Sequence, residues 1–320
     1  MLYFCYAKKE RLDMGLSTKT KNWLKKNAPV SLEGKTVLIT GSNSGIGYKE
    51  MELMLYLGAN VIMACRNLQK AEKARDTLLQ EYPDSNIVLK QLDMASFASI
   101  DHFVQELSQE KIDVDYFVNN AGVFHQPNQK TADGLELVIG TNYVGVYYLT
   151  EKLLPYLQSL PHEVGYINTV SIIHKIAKIK YDDFYYAKKY KNFGAYARSK
   201  LCLARYTYDL ADRCKDTNVR VWMIHPGIAM TPLGLNAFGG KIKGAANFFR
   251  GLFNTPEKSA LALPYLMARQ VAEGGIVGPN ALFGGWGYPK QNRILRRVKV
   301  GAAELKVFTN KEIARITTKE

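Results

Sequence analysis

The chain has 320 residues, 47% of them hydrophobic and 22% charged, the balance of a globular protein with one large α/β domain or two smaller ones. Its apolar runs fall far short of the ~18 residues a membrane span needs, and Cys5, Cys65, Cys202 and Cys214 form no C-x-x-C pair beside a histidine cluster, which argues against a disulfide framework or a zinc site. The formal charge of +14 sits mostly at the ends, since residues 1–35 hold eight Lys/Arg against three Asp/Glu and residues 289–320 hold nine against three, so solvated termini, and not a nucleic-acid surface, are expected.

Residues 1–33 read as an appended basic arm. LYFCYA near its start is too short and wrongly flanked for a secretory signal, and the expectation is a cytoplasmic protein. Within the arm, 22–27 (NWLKKN) forms a short helical turn with Trp23 and Leu24 packed on the body, ended by Pro29.

Residues 36–40 are a β-branched, apolar run of the kind found in a strand buried on both faces. Gly41, Gly45 and Gly47 then lead into a helix over 46–57. The first turn of such a helix offers free backbone N–H groups and a partial positive charge, so it holds a phosphate if no side chain blocks the approach. Gly41 allows the tight turn, Gly45 a close pyrophosphate approach and Gly47 close helix-to-strand packing.

A second strand over 60–64 ends at Cys65 and Arg66. In a dinucleotide fold an acidic side chain at this point grips the adenosine ribose; none is present, and Arg66 either pairs with a 2′-phosphate, favouring NADP over NAD, or is a surface arginine opening the next helix. A helix over 68–81 and a third strand over 86–92 lead to Asp93, which accepts a hydrogen bond from an adenine amino group or caps the segment near Ser96. A helix over 97–109 and a fourth strand over 114–118 run into Asn119, Asn120, Ala121 and Gly122, small and amide residues suited to backbone approach or to tying strands together. In the long segment 133–160, Asn142 within GTNYVGVYYLT is a polar residue on an otherwise apolar helix; it satisfies a break in the backbone or holds a water. Strands over 166–171 and 219–224 flank a helix over 195–214, and His225, Pro226 and Gly227 form a sharp exit. Strands alternating with helices in this way predict one domain, 34–288, with a parallel sheet covered on both faces.

Tyr-x-x-x-Lys on a helix sets a phenol and an ammonium one turn apart, where the cation lowers the phenol pKa from about 10 toward a useful general acid/base. Three pairs fit: Tyr148 with Lys152, Tyr185 with Lys189, and Tyr196 with Lys200. Only the last opens an amphipathic helix 25 residues after a hydroxyl, Ser171, at a strand end.

Taken with TGSNSGIG, NNAG at 119–122 and PGIAMT at 226–231, this constellation resembles the short-chain dehydrogenase/reductase family over residues 34–285, in its single-domain TGxxxGxG subgroup. ACRN at 64–67, LDMASFASI at 92–100 and SIIHK at 171–175 look most like its retinol dehydrogenase-like and protochlorophyllide reductase-like members. Val170 departs from the pattern, since many relatives carry a second serine there. The resemblance implies a doubly wound Rossmann fold with a mostly parallel sheet of about seven strands. It makes Tyr196 the general acid/base, Ser171 a hydrogen-bond partner of the substrate oxygen, Lys200 a ligand of the nicotinamide ribose that also lowers the pKa of Tyr196, and Asn142 the holder of a water linked to Lys200. Gly41, Ser42, Asn43, Ser44, Gly45, Ile46, Gly47, Arg66, Asp93, Met94, Asn120, Ala121, Gly122, Pro226, Gly227 and Thr231, with Tyr196 and Lys200, would contact NADP(H).

Residues 228–255, rich in glycine and carrying Phe238, Phe248, Phe249 and Phe253, are expected to close as a lid over an apolar substrate; packing, a contact between copies of the chain, or peripheral membrane contact through Lys241, Lys243 and Arg250 are the other readings. Residues 289–320 read as a basic tail. The expected function is NADP-dependent interconversion of a carbonyl and an alcohol on an apolar small molecule, and the alternative is a non-catalytic NADP(H)-sensing or scaffold protein of the same fold.

Overall fold

β1 (Thr36–Thr40) shows why the chain folds around its first strand. Successive side chains of a strand point to opposite faces; Leu38 enters one apolar core while Val37 and Ile39 enter the other, and all three are fully buried. The protein, seen in a computed structural model, is described over residues 15–124, 127–229, 254–281 and 284–318. In chain order α1 (Thr18–Asn27) precedes β1, and α2 (Gly45–Tyr56), β2 (Asn60–Cys65), α3 (Leu68–Glu81), β3 (Ile87–Gln91), α4 (Phe97–Gln109) and β4 (Tyr116–Asn119) follow it. Then come α5 (Gly145–Ser159), β5 (Val164–Thr169), α6 (Asn192–Cys214), β6 (Val219–Ile224), α7 (Pro256–Ala260), α8 (Ala262–Met267), β7 (Ile276–Ala281), β8 (Trp286–Asn292), α9 (Arg296–Lys299) and α10 (Ala302–Thr317).

The strands lie in the order β3-β2-β1-β4-β5-β6-β7-β8. All neighbours are parallel except β7 and β8. This is the doubly wound α/β arrangement, and the winding reverses between β1 and β4, where a crevice opens outside the carboxyl ends of the strands. The sheet has eight strands rather than seven. The eighth, WGYPKQN, carries Pro289 and few apolar residues, which an antiparallel edge strand tolerates.

Both expected terminal extensions fold into the domain over the described residues. Ser17 accepts a hydrogen bond from Thr20 N and starts α1 earlier than expected. Leu24 is buried, and Trp23 stacks on Tyr288 of β8 at 5.3 Å. At the other end, the segment expected as a basic tail contains β8's last residues, α9 and α10. Leu305 is buried, Phe308 packs beside it one turn on, Thr309 bonds the Tyr143 hydroxyl at 2.6 Å, and Asn310 accepts from Tyr147 Oη at 2.6 Å. Charges on the outer face of α10 hide this apolar stripe from a charge count. Among the described residues no helix is long and apolar enough to cross a membrane.

Candidate active site

The carboxyl ends of β1 and β4 meet at the crevice. Gly41 turns the chain with φ +65°, and a Cβ there would stand 2.8 Å from Ala121 Cα. At Gly47 a Cβ would fall 2.3 Å from Asn120 Nδ2 and 2.7 Å from the Gly41 carbonyl oxygen, closer than real atoms approach, so α2 packs here only because that side chain is missing. Asn120 Nδ2 donates to the carbonyls of Thr40 (3.0 Å) and Gly41 (3.3 Å), while the backbone N–H groups of Asn120 and Ala121 donate to Thr40 Oγ1. Ser42 Oγ is buried and donates to Ile39 O, shaping the turn from within. Asn43 and Ile46 are half-buried and Ser44 exposed. Ser44, at the N-cap of α2, makes no side-chain capping bond. The helix therefore presents open first-turn N–H groups and its positive dipole end at the crevice, an arrangement that fits a pyrophosphate.

Arg66 is exposed just past β2 and has no ion-pair partner among the described residues. Asp93 is half-buried; its Oδ1 accepts from Ala95 N at 2.9 Å and its N–H donates to Ser99 Oγ, so it orders the turn before α4. Met94 is buried in the core beside Gly145. Gly122 faces two site residues at once: a Cβ there would lie 3.1 Å from Asn142 Oδ1 and 3.7 Å from Lys200 Nζ. Pro226 and Gly227 leave β6, with Gly227 at φ +76° packed against Gly285 O. Thr231 and most of the expected lid lie outside the described residues.

Across the crevice, Ser171 caps a short 3₁₀ turn, Ile172–Lys175. Burial pushes the Tyr196 pKa up, and the Ser171 hydroxyl beside the phenol works against that rise. One turn along α6, Lys200 is buried, donates to Thr169 O at 2.8 Å and has its pKa lowered to about 8 by desolvation. Its Nζ lies 6.0 Å from the centre of the Tyr196 ring. The ammonium is turned to a main-chain carbonyl, and the group that opposes the rise in the phenol pKa is Ser171.

Asn142 is fully buried in a π-helical turn, Gly140–Val144, a wide turn that recurs at functional sites. Its Nδ2 donates to Val123 O (2.8 Å) and its Oδ1 accepts from Val123 N (2.7 Å). The amide thus bonds the main chain just past β4, and Nδ2 also reaches Ser199 Oγ at 3.3 Å. The sites around Gly41–Gly47, Asn120–Gly122, Asn142, Ser171, Tyr196 and Lys200 thus gather at one end of the sheet, on side chains that could both bind a nucleotide and move a proton.

The family model for short chain dehydrogenase matches residues 35–238, the whole of this crevice from β1 past β6. The chain belongs to the short-chain dehydrogenase/reductase family. Within that family of NAD(P)-dependent oxidoreductases it is retinol dehydrogenase-like. It is 36% identical over 262 residues to human (Homo sapiens) retinol dehydrogenase 14, covering 77% of each chain. To retinol dehydrogenase 14 of Mus musculus it is 42% identical over 217 residues, and the match spans 64% of this chain and 64% of the mouse protein. Among solved structures, an uncharacterized protein from Mycobacterium Paratuberculosis aligns with a TM-score of 0.72 at 27% identity, covering 90% of this chain and 95% of that one.

Three members of this short-chain dehydrogenase's site escaped the sequence reading. Thr40 Oγ1 joins β1 to β4, and its signal is a polar residue ending an otherwise apolar strand. His174 donates from Nδ1 to Ser171 O at 2.6 Å, and desolvation keeps it neutral by lowering its pKa. Arg198, between Tyr196 and Lys200, carries no motif signal at all.

Proposed function

We propose that this short-chain dehydrogenase uses NADP(H) to interconvert a carbonyl and an alcohol on an apolar small molecule, of the kind named by its retinol dehydrogenase relatives. The observation that carries the reading is the convergence of three groups: Ser171 faces the Tyr196 phenol closely enough to oppose the rise in its pKa, and the buried Lys200 lies one turn along the same helix, its Nζ 6.0 Å from the centre of the Tyr196 ring. A bound nicotinamide supplies or accepts the hydride. In reduction Tyr196 Oη gives its proton to the substrate oxygen, and in oxidation it takes that proton back. The Ser171 hydroxyl orients the same oxygen. Lys200 would hold the nicotinamide ribose, and it stays mostly protonated at neutral pH, since its pKa is about 8.

The turn over Gly41–Gly47 would hold the pyrophosphate, Asp93 the adenine, the Asn120–Gly122 backbone and Pro226–Gly227 the body of the dinucleotide. Arg66, where an acid would select the unphosphorylated ribose, favours NADP. Phe124, packed on the Tyr196 ring at 4.3 Å, gives the substrate side an apolar contact. The test is turnover by the purified protein of a panel of apolar aldehydes and alcohols with NADP(H) and NAD(H). The expected result is aldehyde reduction or alcohol oxidation that prefers NADP(H). Binding of NADPH with no turnover anywhere on the panel would instead favour a nucleotide-sensing protein.

A further inference from the structure

A buried cation that the mechanism does not use sits between its two key residues on α6. Arg198 is 3% exposed and pairs with no carboxylate among the described residues. Its guanidinium donates instead to three main-chain carbonyls: Nε to Lys178 (3.2 Å) and Nη1 to Asp183 (2.5 Å) and Phe184 (2.6 Å). It also lies 3.9 Å from the centre of the Tyr186 ring. Burying an unpaired charge is costly, so its retention points to a positional role more than to stability.

All four contacts fall on one segment, residues 172–195, which leaves Ser171 and returns to Tyr196. Arg297 of α9 holds the same segment near its start. Its Nη1 donates to Lys175 O (2.5 Å), the last residue of the 3₁₀ turn that Ser171 caps, and to Ala177 O (3.1 Å). Tyr190 ties the far end, donating from Oη to Glu136 Oε1 at 3.0 Å. Tyr186 itself stands in the left-handed region at φ +55°, with its hydroxyl against Gly194. A non-glycine residue keeps that strained conformation only where its surroundings over-determine it, and the stacked guanidinium is one of those surroundings.

We propose that Arg198 is a positioning residue: with Arg297 it fixes residues 172–195 as a strap, so that the Ser171 hydroxyl meets the Tyr196 phenol. The proposal rests on the roles given above to Ser171 and Tyr196. A guanidinium suits the task because its rigid, planar fork reaches several carbonyls while stacking on a ring, which a single ammonium does not.

The test compares the full chain with Arg198→Ala, Arg198→Lys and Arg297→Ala in two assays. Limited trypsin digestion, read by mass spectrometry, reports cleavage after the exposed Lys178, Lys180, Lys188, Lys189 and Lys191. All three variants are expected to be cut there about tenfold faster, because a strap without its staples opens more often. Their kcat is expected to fall about tenfold or more while the Kd for NADPH stays within about twofold. Unchanged cleavage overturns the proposal, as does faster cleavage with kcat unchanged, or full rescue by lysine at 198. Arg297→Ala, at a half-buried residue, decides the matter if Arg198→Ala does not fold. Proteolysis needs no turnover, so a wild-type protein inactive on every substrate would refute the functional reading while the tryptic pattern still decided the strap.

Discussion

The two walls of the crevice are shaped by opposite means. On the β1–α2 side, the geometry comes from side chains that are missing: Gly41 and Gly47 let backbone approach closely, and the Asn120 amide is turned to main-chain carbonyls. On the Ser171–Tyr196 side, long side chains do the shaping: Arg198 just past the segment and Arg297 from α9 bond its carbonyls, and its own Tyr190 reaches out to Glu136, which together hold a stretch with little regular structure. A wall made of glycine is written locally and breaks by addition. A wall made of staples is written over more than a hundred residues and breaks by deletion.

This contrast can be broken at either wall, and the variants should separate binding from chemistry. The largest effect is expected at Gly47→Ala. Its methyl would meet Asn120 Nδ2 and the Gly41 carbonyl, so the turn must shift; NADPH affinity is expected to drop on the order of a hundredfold and stability by about 1–3 kcal/mol. Fluorescence titration and thermal unfolding check this, and an alanine protein that binds NADPH normally would show the turn is less tight than it looks.

A smaller effect tests the helix leaving the turn. Glu50 on α2 is buried with Oε2 unpartnered among the described residues, and desolvation pushes its pKa up to about 8. A carboxyl raised in the folded state binds its proton more tightly there than when unfolded. Its stabilising contribution is therefore complete below the ordinary carboxylate pKa and is lost as pH rises from about 4.5 through about 8. Glu50→Gln is expected to flatten that decline and to gain stability at pH 8, by up to about 4 kcal/mol, measured by urea unfolding at pH 5 and pH 8. An equal change at both values would remove the role assigned to burial.

The smallest effect belongs to Arg66→Ala, which touches neither wall's packing. NADPH binding is expected to weaken about tenfold with NADH unchanged. A parallel loss for both nucleotides would deny Arg66 its part in choosing between them.

The same contrast explains what was legible in the sequence. The strands before the crevice could be read because buried parallel strands are short β-branched runs, and β1 and β6 end on a glycine or on His-Pro-Gly. Tyr196 and Lys200 stood out among three such pairs because only theirs opens an amphipathic helix after a strand that ends on a hydroxyl, Ser171. The strap could not be read, since nothing in Y-A-R-S-K says that the arginine folds back onto carbonyls 14 to 20 residues earlier. Asn142 was ambiguous for a related reason: the π turn that aims it at Val123 leaves no pattern in the residues around it. At the N-terminal end the packing of Trp23 and Leu24 was legible, whereas at the C-terminal end a charge count hides Leu305 and Phe308 on the inner face.

The most direct measurement is single-turnover reduction of an apolar aldehyde by NADPH with the wild type and Tyr196→Phe side by side, alongside the Kd of each for NADPH. Loss of the phenolic proton is expected to slow the step by about 10²–10⁴-fold with Kd unchanged. A phenylalanine protein that still turns over at the wild-type rate would contradict the role of Tyr196 and, with it, the reading of the crevice as a place where a phenol delivers a proton.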